Sequence, residues 1–170
     1  MIRVVSLYDA VVDAEAIPDE GGRAAAEAWA KSFEGVAERM RADGADRDAV
    51  RRAAHANLLY DLHPELVQIG QSLGLTFADV IERLTAENDV VGQMPYLRQL
   101  RQLLFGRLRN AGQKWTRNDL IDLQFLSCAT GYADVVIGER NAISYLGRGR
   151  GVGGARLATS LSEGVALLDG

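Results

Sequence analysis

The chain has 170 residues, 48% of them hydrophobic and 25% charged, with a formal net charge of -4, which suits one domain with a sizeable core and does not require two. Its single cysteine, Cys128, excludes an internal disulfide, and with only His55 and His63 beside it there is no thiolate and imidazole cluster for zinc; any metal would be a hard ion on carboxylates. No apolar run of about 18 residues occurs, and acids interrupt the N-terminal MIRVVSLYDAVVDAE where a signal peptide needs an apolar stretch, so a soluble, cytoplasmic protein with no membrane partner is expected.

From the N-terminus, Ile2 to Tyr8 is rich in Val, Ile and Leu and suits a short strand followed by a loop. Between Arg23 and Asp43 the spacing of Trp29, Phe33, Val36 and Met40 predicts a helix with one apolar stripe, and Gly44 supplies its stop. Further helices are predicted over Asp46 to Leu59, from Pro64 to Gly74 with Leu66, Ile69 and Leu73 inward, and from a Thr76 cap through Leu84. Ala86 to Met94 suits either a short strand or a loop. Pro95 then opens a helix whose buried side is marked by Leu97, Leu100, Leu104 and Leu108.

After a polar break at Asn110 to Lys114, Thr116 and Asp119 stand in a capping-box relation and open a helix through about Thr130, ended by Gly131. Ala133 to Ile137 reads as a buried strand, Asn141 to Leu146 as one or two helical turns, Ala155 to Ser160 as a second strand, and Leu161 to Leu168 as a last helix. Alternation of helix and strand in this third predicts an α/β fold with a short parallel sheet behind a helix-rich N-terminal portion.

Charge is distributed unevenly along this single domain. Residues 1–90 hold 9 basic and 17 acidic groups, net -8, and residues 91–170 hold 10 and 6, net +4, which together give the overall -4. Arg98, Arg101, Arg107, Arg109, Lys114 and Arg117 follow one another without a single Asp or Glu between Val91 and Asn118. That run suits a phosphate-bearing partner or, equally, a solvated helix face paired with the acidic half.

Asp119 and Asp122 are three residues apart and share a helix face near its N-terminus, where backbone N–H groups and the macrodipole favour negative charge. The helix runs antiparallel to the strand that follows, so its start and the strand's end at Glu139 lie at one edge. The three acids then either converge on a divalent cation that relieves their repulsion, or serve separately as helix-start acids and a turn cap.

The run NDLIDLQFLSCATGYADVVIGER resembles the C-terminal metal-site segment of PIN-domain-like nucleases, with Asp122 at the helix acid, Ala129 at the inner small residue and ADVVIGE at the strand with its terminal acid. GARLATSL is similar to the last strand of that fold. The resemblance spans roughly residues 95 to 165 and implies a PIN-like three-layer fold in which Asp119, Asp122 and Glu139 hold Mg2+ or Mn2+ and act catalytically. It further implies hydrolysis of RNA, or of single-stranded DNA, with Arg117 and Arg140 on the backbone phosphates. In this chain Gly138 replaces the usual hydroxyl residue, Glu139 the usual Asp, and only Asp9 stands near the place of the first-strand acid. The alternative is a non-catalytic protein-interaction or nucleic-acid-binding module on a degenerate PIN-like fold, with a protein partner or a second copy, and the chain can equally be the C-terminal part of a longer protein.

Other features are read structurally. Cys128 is expected in the core rather than as a nucleophile, Trp115 as an anchor for the start of its helix, and Asp134 as a structural hydrogen-bonding group rather than a ligand. Gly149 to Gly154 matches GxGxxG only formally, because neither a preceding strand nor a following helix frames it.

Overall fold

A computed structural model describes residues 19–85, 89–110, 112, 114–147 and 154–168; the expected strand at Ile2 to Tyr8, Asp9 and most of the glycine-rich loop lie outside them. The described elements are α1 (Asp19–Ala42), α2 (Arg47–Asp61), α3 (His63–Ser72), α4 (Phe77–Thr85), α5 (Val90–Gln93), α6 (Pro95–Leu108), α7 (Arg117–Tyr132), β1 (Val135–Ile137), α8 (Arg140–Gly147), β2 (Arg156–Ala158) and α9 (Leu161–Leu168). The protein is thus a mixed α/β fold in which helices dominate and the two described strands pair in parallel, with Val136 opposite Leu157.

Helix α6 is the hub: α1, α2, α5, α7 and α8 all contact it. Of its expected leucines, Leu100 at 9%, Leu104 at 1% and Leu108 at 3% exposure are inside while Leu97 is half-buried against the core, and Leu103 and Phe105 are buried as well. The apolar stripe therefore covers more than one side, as it must on a helix enclosed by several neighbours. From α1, Phe33, Val36 and Ala37 join this core, and from α2, Val50, Ala54 and Leu58.

Local signals placed most helix ends. Gly44 adopts φ +59° after α1, a conformation that glycine reaches without a Cβ clash. Asp46 caps α2 by accepting a 2.7 Å hydrogen bond from the Ala49 N–H, and Thr76 and Asp79 bond reciprocally at the start of α4. Of the Ala86 to Met94 stretch, expected as a strand or a loop, Val90–Gln93 forms the single helical turn α5, whose cap Asp89 takes the left-handed conformation at φ +37°, and residues 86–88 lie outside the described ones.

Three expectations are corrected. On α3, Ile69 and Leu73 point outward, at 55% and 67% exposure, because the helix meets α4 through Gly70, where a Cβ would come within 2.9 Å of the Val80 side chain. Gly131 does not end α7, which runs on to Tyr132; it lets the last turn approach Pro95, whose carbonyl carbon would stand 3.2 Å from a Cβ there. Cys128 is exposed rather than in the core. A further close approach joins α6 to α8, where a Cβ on Gly106 would lie 2.7 Å from that of Tyr145.

Around the sheet, α9 contacts both strands, α7 contacts β1 and α8 contacts β2. The helix–strand–helix step consequently puts the N-termini of α7 and α8 near the C-terminal end of β1. No helix among the described residues is long and apolar enough to cross a membrane.

Candidate functional site

At that end of β1 lies a cleft of about 310 Å³ whose walls include Asp119 and Asp122 from α7 and Glu139 from the turn after Ile137, together with Arg107 and Tyr145. The three acids singled out from the sequence therefore share one cavity, as the connection between helix and strand requires. They are not equivalent.

Asp119 is heavily engaged. Its Oδ1 accepts a 2.8 Å ion-pair contact from Arg107 Nη1, and both side chains are largely buried, at 13% and 10% exposure. Its Oδ2 accepts from the Thr116 backbone N–H and, at 3.0 Å, from the Thr116 hydroxyl, which completes the expected capping box. Arg107 is held just as firmly: Nη2 donates to the Lys114 carbonyl at 3.0 Å, and its guanidinium carbon lies 4.8 Å from the centre of the Trp115 ring. Its Nε is buried with no hydrogen-bond partner among the described residues.

Trp115 is the anchor expected of it, 7% exposed and packed against Phe33 and Trp29 with ring centres 4.9 and 5.6 Å away. Arg107, Trp115, Thr116 and Asp119 thus form one unit that fixes the start of α7 against α1 and α6. The sequence signalled the cap and the tryptophan; the arginine that consumes the first acid was legible only as one cation in a run.

Asp122 and Glu139 are exposed at the cleft. Desolvation raises the Asp122 pKa above the ordinary carboxylate value, the charges of Asp119 and Glu139 raise it further, and Arg107 opposes them. Because the neutral acid is favoured in the fold, ionising Asp122 costs stability at neutral pH, and that cost disappears as pH falls through the raised folded value and below the unfolded value of about 3.9. Asp122→Asn is expected to be more stable than wild type at pH 7, with the gain fading below about pH 4; urea unfolding at both pH values checks this.

The flanking cations Arg117 and Arg140 are the first residues of α7 and α8 and are both exposed. Gly138 sits between β1 and Glu139 and donates its N–H to the Ala158 carbonyl at 3.1 Å. Asp134 acts through its backbone carbonyl, which accepts from Arg156 N–H at 2.8 Å. Among the described residues, no group of three or more His, Cys, Asp and Glu side chains is arranged to hold a metal ion. Asp119, Asp122 and Glu139 share the lining of one cleft.

This site and fold define a helix-dominated α/β protein with an acid-lined cleft at the end of a short parallel sheet. No family model matches the chain, and no curated protein or solved structure is significantly similar to it.

Proposed function

We propose that the chain is a non-catalytic RNA-binding module built on a degenerate PIN-like fold. The observation that carries this reading is the commitment of Asp119: with one carboxylate oxygen on Arg107 and the other on Thr116, the cleft keeps Asp122 and Glu139 as its remaining acids. Two of the three carboxylates that the resemblance implies for Mg2+ or Mn2+ are then left to the cleft, the third being spent on holding the start of α7. Arg117 and Arg140 stand exposed beside them, available to phosphate oxygens in a way that Arg107 is not. The PIN-like, three-layer assignment is supported by the parallel strand pair and by the meeting of the acid-bearing helix start with the strand end.

The test is fluorescence anisotropy with a single-stranded oligoribonucleotide over a salt series, paired with a cleavage assay in Mg2+ and in Mn2+. Expected are salt-sensitive binding, weakened by Arg117→Ala and Arg140→Ala, and intact RNA. Loss of binding in neither variant overturns the assignment of these arginines. A second reading, metal-dependent hydrolysis, is favoured by the pressure of Asp119 and Glu139 on Asp122; divalent-dependent cleavage abolished by Asp122→Asn and Glu139→Gln would establish it in place of the first.

A further inference from the structure

The second cavity of note lies between α2, α6 and the Asp89 turn, has a volume of about 460 Å³, and shares no residue with the acid-lined cleft. Arg51, Arg52 and Arg101 line it, along with His55, Gln102 and Phe105. Although α2 belongs to the half of the chain with net charge -8, its cations gather here.

Their states differ. Arg101 is fixed by a two-pronged ion pair to Asp89, at 2.6 and 2.7 Å, and lies 3.5 Å from His55 Nδ1. Arg51 and Arg109 stand over the buried Phe105 ring, 5.5 and 5.6 Å from its centre. The contact of Arg51 with Asp48, at 3.5 Å between side chains 56% and 71% exposed, is worth little in solvent. Arg52 is exposed and has no ion-pair partner among the described residues.

Three guanidiniums therefore surround an apolar floor of Ala56, Leu59 and Phe105, with Asp89 the one acid in the wall among the described residues. One of the three is pre-oriented by its ion pair, and the two on α2 reach the groove without a competing buried carboxylate among the described residues. Guanidiniums so arranged match the forked geometry of a phosphate group, and the floor accommodates an apolar or aromatic moiety attached to it.

We propose that this groove binds a phosphate-bearing ligand, with Arg51 and Arg52 contacting the phosphate and Arg101, held by Asp89, completing its electrostatic environment. The phosphate can belong to a free nucleotide or to a nucleic-acid strand. The inference goes beyond the RNA-binding reading and stands apart from it, since Arg117 and Arg140 take no part.

His55 supplies the internal reporter. Burial and the Arg101 charge hold its pKa below the ordinary imidazole value, with Asp89 opposing them, whereas an anion in the groove favours the protonated ring. Among the described residues, the charged groups facing it are Arg51 and Arg52 from α2, Arg101 from α6 and Asp89. His63, the other histidine, instead meets the Phe77 ring edge-on, with ring centres 4.5 Å apart.

The experiment is NMR titration of both histidine rings in the full chain with ADP, with inorganic phosphate and with short oligouridylate, assigned by His55→Gln. A ligand of the groove raises the His55 midpoint by about half a pH unit or more and leaves His63 in place. The Arg51→Ala, Arg52→Ala double variant, altered only at exposed helical positions, weakens that response by about tenfold or more. Response to ADP alone identifies a free nucleotide, to oligouridylate alone a strand, and to all three the phosphate itself. A His55 midpoint unmoved by every probe at millimolar concentration, or moved equally in the double variant, overturns the proposal. Loss of oligouridylate binding in Arg117→Ala and Arg140→Ala with an unchanged ADP response separates this groove from the other surface.

Discussion

Asp119→Ala is expected to lower stability by about 3–5 kcal/mol, as removal of one member of a buried ion pair does. The substitution strands the Arg107 guanidinium, which is 10% exposed and carries a buried Nε without a partner among the described residues, and it also removes the Asp119 half of the capping box at the start of α7. Arg107→Leu strands the Asp119 carboxylate in turn. The double variant should therefore cost less than the sum of the two, with a coupling of about 1–3 kcal/mol. Urea unfolding of the four proteins gives the cycle. If Asp119→Ala costs less than about 1 kcal/mol, Asp119 is not tied to Arg107 and is free to serve the cleft.

Phe33→Ala should cost a similar amount, about 3–5 kcal/mol. Phe33 is 1% exposed and its ring lies 4.5 Å from that of Trp29 and 4.9 Å from that of Trp115. The cavity left behind would be bordered by two large rigid rings, which collapse poorly. It also loosens Trp115, on which Arg107 rests, so the tryptophan fluorescence should change in the folded variant. Phe33→Leu, which keeps most of the volume, should cost about half as much or less. A loss below about 1.5 kcal/mol for Phe33→Ala would show that α1 is not held to α7 by this cluster.

These two variants also mark what the residues disclosed before the fold was known. Phe33 and Trp115 were readable, one from helical spacing and the other from its position before a capping box, because both signals are local. So were the parallel strands and the edge at which Asp119, Asp122 and Glu139 gather, since connection geometry fixes that edge. Ile69 and Leu73 misled because the face of α3 that meets α4 is built on Gly70, which contributes no apolar signal of its own. Cys128 misled in the same way: a small apolar-like residue inside an apolar helix carries no direction.

The functional residues divide along the same line. Nothing in the spacing of Arg107 distinguished it from Arg101 or Arg109, although one is buried against Asp119, the second is clasped by Asp89 and the third stands over Phe105. Which cations remain available depends on partners distant in the chain. The groove at Arg51, Arg52 and His55 had a faint signature, adjacent cations one helical turn from a histidine in an otherwise acidic half, but its other wall comes from α6. A pattern confined to one helix does not disclose a wall supplied by another.

Strands β1 and β2 are three residues long each. Main-chain pairing over so short a ladder cannot hold a sheet together by itself, and the strands rely on α7, α8 and α9, which rest on them. Lifting α9, whose Leu161, Val165 and Leu168 face solvent, would remove the one support among the described helices that contacts both strands. Hydrogen exchange is expected to reach the amides of β1 and β2 before those of the helical hub around α6.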